Sequence, residues 1–352
     1  MIIVRAPVRL SLAGGGTDLP AYYETYGGLV VSTTIDKYFY IFVNVANGRD
    51  VQITSSDYRV FHRHRAGEPP LWDGNLGLVK AALHEFGCEA GITLFLASEI
   101  PPGTGLGSSS AVAVALVKAL SMLQGRRLSA AQVAERACAL EIEKCEAPIG
   151  KQDQYASAYG GLNVFRFSAD GVEVESPSVS SETIRQLEQN LLLFFTGSTR
   201  NANSVLREQR ERTADLQSET VQSLHVLKDA AEQTRRCLES GDLGGFGALL
   251  DETWQYKKRL ARNVTNPRID ELYALARSKG AAGGKIAGAG GGGFLMLYCE
   301  KLEQPKVIRA LEAEGLYRMD YRLERGGCQV LMNSLSWSHP AFMVADDAVR
   351  LA

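Results

Sequence analysis

Residues 101–111 read Pro101-Pro102-Gly103-Thr104-Gly105-Leu106-Gly107-Ser108-Ser109-Ser110-Ala111 and run on into the apolar stretch Ala111–Leu123. Glycines at alternate positions let the backbone fold so that successive N–H groups face a common point. The serines stand where the following helix begins, so its free N–H groups and the positive end of its dipole add to an anion site. Hydroxyls at that position can also bind Mg²⁺. A Gly-Ser turn capping a buried helix is the plainer reading, but a cap needs neither three alternating glycines nor three serines. The stretch therefore predicts a phosphate-binding loop. Other phosphate motifs fit poorly. There is no G-x-x-x-x-G-K-[ST]. Gly288, Gly290 and Gly293 formally match G-x-G-x-x-G, yet they open onto an apolar strand, Phe294–Cys299, rather than a helix. A G-x-S-x-G nucleophile elbow is absent as well.

Around this loop the chain reads as ordinary globular protein. Its 352 residues favour two domains. A composition of 45% hydrophobic and 22% charged residues leaves no reason to expect disorder. A net charge of −2 gives no general basic field, so no nucleic-acid partner is expected. The longest apolar run, Ala111–Leu123, is interrupted by Lys118 and Ser121 and is too short for a bilayer, so no membrane partner is expected either. The N-terminus reads directly into a strand with no signal-peptide pattern, which makes the cytoplasm the expected compartment. Six cysteines without any C-x-x-C pair read as reduced core thiols rather than a disulfide framework or zinc site.

Strands are expected at 2–6 and 29–45, joined through the turn Gly14-Gly15-Gly16, with a β-rich continuation over 51–63. A helix over 76–86, a strand over 92–96 and the apolar helix 111–123 follow. Ser129 then caps an amphipathic helix with Ala134, Cys138 and Ile142 on its apolar face, ending by Pro148 and Gly150. A short helix covers 152–158. Beyond it lie a buried strand at 191–195, a charged helical stretch over 203–238, helices from 243 to 260 and from Pro267 to Gly280, and a glycine-rich loop, 283–293, entering the strand 294–299. The change of character near 180–190 predicts two α+β halves, 1–185 and 186–352. No internal repeat is present, and Trp337–Phe342 suggests no role.

P-x-G-x-G-L-G-S-S before an apolar helix resembles the second signature of the GHMP kinases, the galacto-, homoserine, mevalonate and phosphomevalonate kinases. Arg5-Ala6-Pro7-Val8-Arg9-Leu10-Ser11-Leu12-Ala13-Gly14-Gly15-Gly16-Thr17-Asp18 resembles the first signature of that family, and Lys285-Ile286-Ala287-Gly288-Ala289-Gly290-Gly291-Gly292-Gly293-Phe294 the third. The three stand in the family's order. The resemblance implies an α+β fold. It pairs an N-terminal domain like ribosomal protein S5 domain 2, with a left-handed βαβ unit, and a ferredoxin-like C-terminal domain, the active site lying between them. Galactokinase-like members carry Gly-Glu-His where this chain has Gly14-Gly15-Gly16. That form, with Gly150-Lys151-Gln152-Asp153-Gln154-Tyr155 and Thr196-Gly197-Ser198-Thr199-Arg200, is similar to the branch acting on D-glycero-D-manno-heptose 7-phosphate.

The resemblance implies roles residue by residue. ATP sits on Pro102, Gly103, Thr104, Gly105, Leu106, Gly107, Ser108, Ser109 and Ser110. Mg²⁺ is held by Ser109 and by Glu141, which stands twelve residues before Asp153 as in family members with a carboxylate base. Asp153 is the base and Arg9 its basic neighbour, the two catalytic residues. Gly15, Gly16, Thr17, Asp18, Asp153, Arg200, Gly290 and Gly291 are assigned to the sugar phosphate, Arg200 to its phosphate, with Lys151 a second candidate. On the residues alone, Glu141 reads as a solvated helix charge, Asp18 as a turn residue, and Trp72 as a core side chain rather than an adenine platform. Two other function classes stay open: a silent GHMP-fold binding protein, and a dinucleotide-dependent oxidoreductase using the glycines of 288–293. A GHMP kinase for fucose, mannose or galactose is the nearer alternative. Oligomeric state is left open.

Overall fold

The computed structural model describes residues 1–45, 48, 50–57, 59–65, 76–88, 91–199, 202–215 and 218–335. Trp72, Arg200 and the 337–342 segment lie outside the described residues.

The first half begins with β1 (Ile2–Ala13), α1 (Pro20–Tyr26), β2 (Gly28–Val45), β3 (Asp50–Ser55) and β4 (Val60–Arg65). It continues through α2 (Gly77–Glu85), β5 (Ile92–Ser98), α3 (Ser108–Leu123) and α4 (Ala130–Cys138). α4 passes directly into a π-helical turn, Ala139–Lys144, and α5 (Gln152–Tyr159), β6 (Asn163–Ser168) and β7 (Gly171–Glu175) complete the run. β1 and β2 are long because their Val, Ile, Phe and Tyr residues supply a buried face along their whole length. They pair antiparallel from Ile2–Val43 to Ala13–Val31, within a sheet ordered β13-β1-β2-β5-β3-β4 to which β6, β7 and β12 also attach. β3 and β5 pair in parallel across a connection that carries α2. α3 lies over β1 and β2 and between other helices. That explains why it is apolar nearly all round, with Ala111, Val114, Leu116 and Leu120 fully buried. Truncating such a leucine to alanine typically costs ~2–5 kcal/mol.

The second half contains α6 (Ser181–Asn190), β8 (Leu191–Phe195), α7 (Ala202–Thr213), α8 (Glu219–Ser240), α9 (Leu243–Lys257) and α10 (Pro267–Ser278). After these come β9 (Gly283–Ile286), β10 (Phe294–Tyr298), α11 (Gln304–Ala313), β11 (Tyr317–Arg318), β12 (Leu323–Glu324) and β13 (Gln329–Asn333). β8 to β11 form an antiparallel sheet ordered β11-β8-β10-β9, the ferredoxin-like arrangement. Its apolar layer gathers Phe194, Trp254, Leu272, Ile286 and Leu297.

Several expectations need correction. The helical stretch 203–238 is two helices: Ser218 accepts from the Val221 N–H and starts a new one. A division at 185/186 falls inside α6, and the chain after 322 does not stay with the second sheet. β12 pairs with β2 and β13 with β1, so 323–333 belong to the first sheet. Arg5 fixes that return, its Nε and Nη2 donating to Gln329 Oε1 at 3.2 and 2.9 Å. Of the six thiols expected in the core, Cys88, Cys138 and Cys299 are buried, whereas Cys145 is exposed. Among the described residues no helix is long and apolar enough to cross a membrane.

Candidate active site

The loop before α3 is held from both sides. Thr104 and Leu106 turn inward and are buried; the Thr104 carbonyl accepts the Phe294 N–H at 3.2 Å, and the Leu106 carbonyl accepts the Arg9 N–H at 3.0 Å. The glycines alternating with them have φ of +76°, +83° and +77° at 103, 105 and 107. A Cβ on Gly105 would lie 2.4 Å from the Ala287 carbonyl oxygen, so the second and third glycine-rich segments meet backbone against backbone. α3 then starts at Ser108 with Gly107 as its N-cap and no side chain capping it. Its first-turn N–H groups thus remain open near Pro102, at the positive end of a 16-residue helix. Ser110 departs from expectation: it is buried and turned toward Glu141.

Arg9, on β1, and Asp153, in the first turn of α5, meet next to this loop. Arg9 Nε donates to Asp153 Oδ1 at 2.8 Å and Nη2 to Oδ2 at 2.6 Å, a two-pronged pair, while Nη1 donates to the Gly105 carbonyl at 2.6 Å. Arg9 is buried, but the Asp153 side chain keeps 22% of its exposure, so the carboxylate is held firmly and still reachable. Gly107 leaves it open: a Cβ there would stand 3.1 Å from Asp153 Oδ2.

Glu141 reaches the other side of the α3 N-terminus. The π-helical turn sets its direction, a distortion frequent at functional sites. Ser109 Oγ donates to Glu141 Oε1 at 2.8 Å and Gln154 Nε2 donates to Oε2 at 2.6 Å. Burial pushes the Glu141 carboxyl up to about 7, against the hydrogen bonds from Ser110, Ser109 and Gln154. Every partner named here is a neutral donor, so the buried carboxylate has no compensating charge from them. Paired oxygen donors with uncompensated negative charge suit a hard divalent cation. Among the described residues no cluster of three or more His, Cys, Asp or Glu could hold a metal by itself. A magnesium ion here would therefore take its remaining ligands from phosphate and water.

On the far side of Arg9 and Asp153 lies a cleft lined among others by Gly15, Gly16, Asp18, Leu206, Gln209 and Lys257. Asp18 is buried and accepts from the Gly16 N–H at 2.9 Å, from Gln152 Nε2 at 2.8 Å and from the Gln152 N–H at 3.3 Å. Burial raises its pKa, with Asp153 adding to the effect and those hydrogen bonds opposing it. Thr17, assigned to substrate, is not at the cleft. Its hydroxyl is fully buried, donating to the Gly14 and Leu29 carbonyls and accepting the Leu29 N–H. Gly290 and Gly291 also turn elsewhere: the Gly291 N–H donates to the Val264 carbonyl at 2.7 Å, and a Cβ on Gly290 would collide with that same oxygen. Gly288 and Ala289 are the residues of this loop at the cleft. Lys151 points away too, its ammonium 5.7 Å from the Tyr23 ring.

The chain matches two family descriptions: GHMP kinases N terminal domain over residues 76–161, and GHMP kinases C terminal over 234–316. A mevalonate kinase of Pyrococcus horikoshii is 30% identical over 257 residues, 72% of this chain and 72% of its own length. The chain belongs to the GHMP kinase family. A D-glycero-α-D-manno-heptose 7-phosphate kinase of Campylobacter jejuni is 29% identical over 332 residues, covering 93% of this chain and 97% of its own. A solved structure described as a D-glycero-D-manno-heptose 1-phosphate kinase, from Bacteroides thetaiotaomicron, superimposes with a TM-score of 0.78 at 26% identity. It covers 95% of this chain and 100% of that one.

For a GHMP kinase, with ATP as phosphoryl donor, two cations stand out that the sequence did not suggest. Lys257, at the end of α9, donates to the carbonyls of Ile286 at 2.9 Å and Gly288 at 2.6 Å, tying α9 to the third glycine loop at the cleft wall. Burial, with Arg9 nearby and Asp18 pulling the other way, pushes its amine down to about 7. Lys285 sits behind it, donating to the Leu12 carbonyl at 2.9 Å. Burial depresses its amine well below the ordinary lysine value. Lys285 lies within a quoted motif, whereas Lys257 is one basic residue among many near a helix end, with no signal to separate it.

Proposed function

We propose that this kinase transfers the γ-phosphoryl group of ATP to the anomeric hydroxyl of D-glycero-D-manno-heptose 7-phosphate, giving the 1,7-bisphosphate and ADP. The observation that carries the reading is the Arg9–Asp153 pair, a partly exposed carboxylate set between an open helix N-terminus and a polar cleft. Near-complete mutual coverage with the Campylobacter jejuni heptose 7-phosphate kinase supports the choice of sugar.

The triphosphate lies along the 103–110 loop, where open N–H groups meet its oxygens. Asp153 takes the proton from the anomeric hydroxyl as that oxygen attacks the γ-phosphorus and the β–γ bridging oxygen leaves with ADP. Arg9 holds the Asp153 carboxylate in place through both of its oxygens. Ser109 and Glu141 would hold Mg²⁺, which would supply charge neutralisation at the triphosphate. The 7-phosphate calls for a guanidinium grip, which we give to Arg200. The product is suited to conversion into nucleotide-activated heptose for cell-surface polysaccharide.

Two outcomes test this reading. In an ADP-release assay over heptose 7-phosphate, mannose 6-phosphate, mannose, galactose and fucose, heptose 7-phosphate has the highest kcat/KM. Removing its phosphate costs more in the parent than in Arg200→Ala. Equal turnover of free hexoses would leave only a general sugar kinase. In a magnesium titration, Ser109→Ala and Glu141→Gln each raise the concentration for half-maximal rate, by about tenfold for the loss of a charged oxygen ligand. A Glu141→Gln curve that overlays the parent would remove Glu141 from the metal.

A further inference from the structure

Among the described residues five buried side-chain polar atoms have no hydrogen-bond partner, and two of them, Ser11 Oγ and Gln152 Oε1, belong to residues lining the same cleft. Buried polar atoms are nearly always paired, so two orphans at one site ask for an explanation. They also stand around one gap. A Cβ placed on Gly15 would lie 3.1 Å from Ser11 Oγ and 3.9 Å from Gln152 Oε1, so glycine at 15 keeps the space between them clear.

The direction of the glutamine amide is fixed. Its Nε2 donates to Asp18 Oδ1 at 2.8 Å, and turning the amide over would set Oε1 against a carboxylate oxygen. The Asp18 oxygens also take the N–H groups of Gly16 and Gln152. Asp18 is thus occupied in holding the Gln152 side chain and the turn beneath it. The acceptor left over is Gln152 Oε1, and the donor left over is the Ser11 hydroxyl. One sugar hydroxyl satisfies both, because it donates a single proton and accepts others through its lone pairs.

We propose that Ser11 and Gln152 form the subsite that reads a ring hydroxyl of the acceptor sugar next to the reacting one. The sugar O–H donates to Gln152 Oε1 and its oxygen accepts from Ser11 Oγ. Asp18 is a positioning residue for Gln152 rather than a direct sugar ligand. The assignment rests on reading this cleft as the acceptor site. Its consequence is sharp discrimination, since a pocket that leaves polar groups unpaired rejects a substrate lacking the matching hydroxyl.

The test uses the full-length enzyme with heptose 7-phosphate and its monodeoxy analogues, each lacking one ring hydroxyl, in the parent, Ser11→Ala and Gln152→Met. In the parent, one analogue loses about tenfold or more in kcat/KM. In each variant that discrimination shrinks, because one of the two partners of the hydroxyl is gone. Ser11→Ala also leaves the unliganded thermal midpoint unchanged or raises it, because it removes an unpaired buried atom. A purely structural serine would do the reverse, lowering the midpoint and preserving selectivity, and that result overturns the proposal. So do variants that retain the parent's discrimination. Should Gln152→Met fail to fold, Ser11→Ala alone decides. Failure of the heptose assignment shows separately, in the parent, and the deoxy series is then made on whichever sugar the parent accepts.

Discussion

Asp153→Asn lowers turnover by ~10²-fold or more while the affinity for ATP stays close to that of the parent. Asparagine preserves size and keeps one carbonyl oxygen for one Arg9 N–H, but its amide nitrogen sets a donor against the other, so one prong of the fork is lost while the Gly105 carbonyl contact remains. What is lost is the proton acceptor. The effect therefore falls on kcat, as expected for an interaction made in the transition state. Steady-state kinetics with heptose 7-phosphate, together with nucleotide binding measured by calorimetry, separate the two. Near-parent turnover would take the base role from Asp153 and leave charge neutralisation as the main source of rate.

Arg9→Met should be the most damaging single change, in both stability and rate. Its guanidinium joins both oxygens of Asp153 to the Gly105 carbonyl, while the Arg9 backbone N–H bond to the Leu106 carbonyl is kept in the variant. Removing one partner of a buried pair strands the other, at ~3 kcal/mol here, the low end of the usual range because Asp153 retains partial exposure. Turnover falls by ~10²–10³-fold as the stabilising charge goes. Arg9→Lys recovers stability better than rate, since an ammonium cannot span both carboxylate oxygens in a plane. Urea midpoints and kcat for the two variants test this; Arg9→Lys equal to the parent in both would mean that the fork geometry is irrelevant.

What the sequence made legible was local or carried by motif. The phosphate loop could be read because alternating glycines have one economical use, and Ser129 could be read as a cap because its side chain has few alternatives. The separation of Glu141 from Asp153 has meaning only with the Pro148–Gly150 break between them. In the structure, the two carboxylates flank the α3 N-terminus from different elements. Other features depend on distant partners. β12 and β13 are too short and too exposed to announce which sheet they join, and only pairing with β1 and β2 decides it. Thr17 was misjudged because a threonine in a glycine-rich turn looks available until three backbone partners are seen to consume it. Lys257 shows the same limit from the other side. Its unusual state comes from burial against the 286–288 carbonyls, which nothing in its immediate sequence records.

The central claim concerns the atom that receives the phosphoryl group. The direct measurement is ³¹P NMR of the reaction with ATP, Mg²⁺ and heptose 7-phosphate. The account predicts that the 7-phosphate signal persists while a second sugar phosphate signal grows, coupled to the anomeric proton, in step with ADP. A new phosphate on any other carbon, or ADP with inorganic phosphate alone, would contradict it.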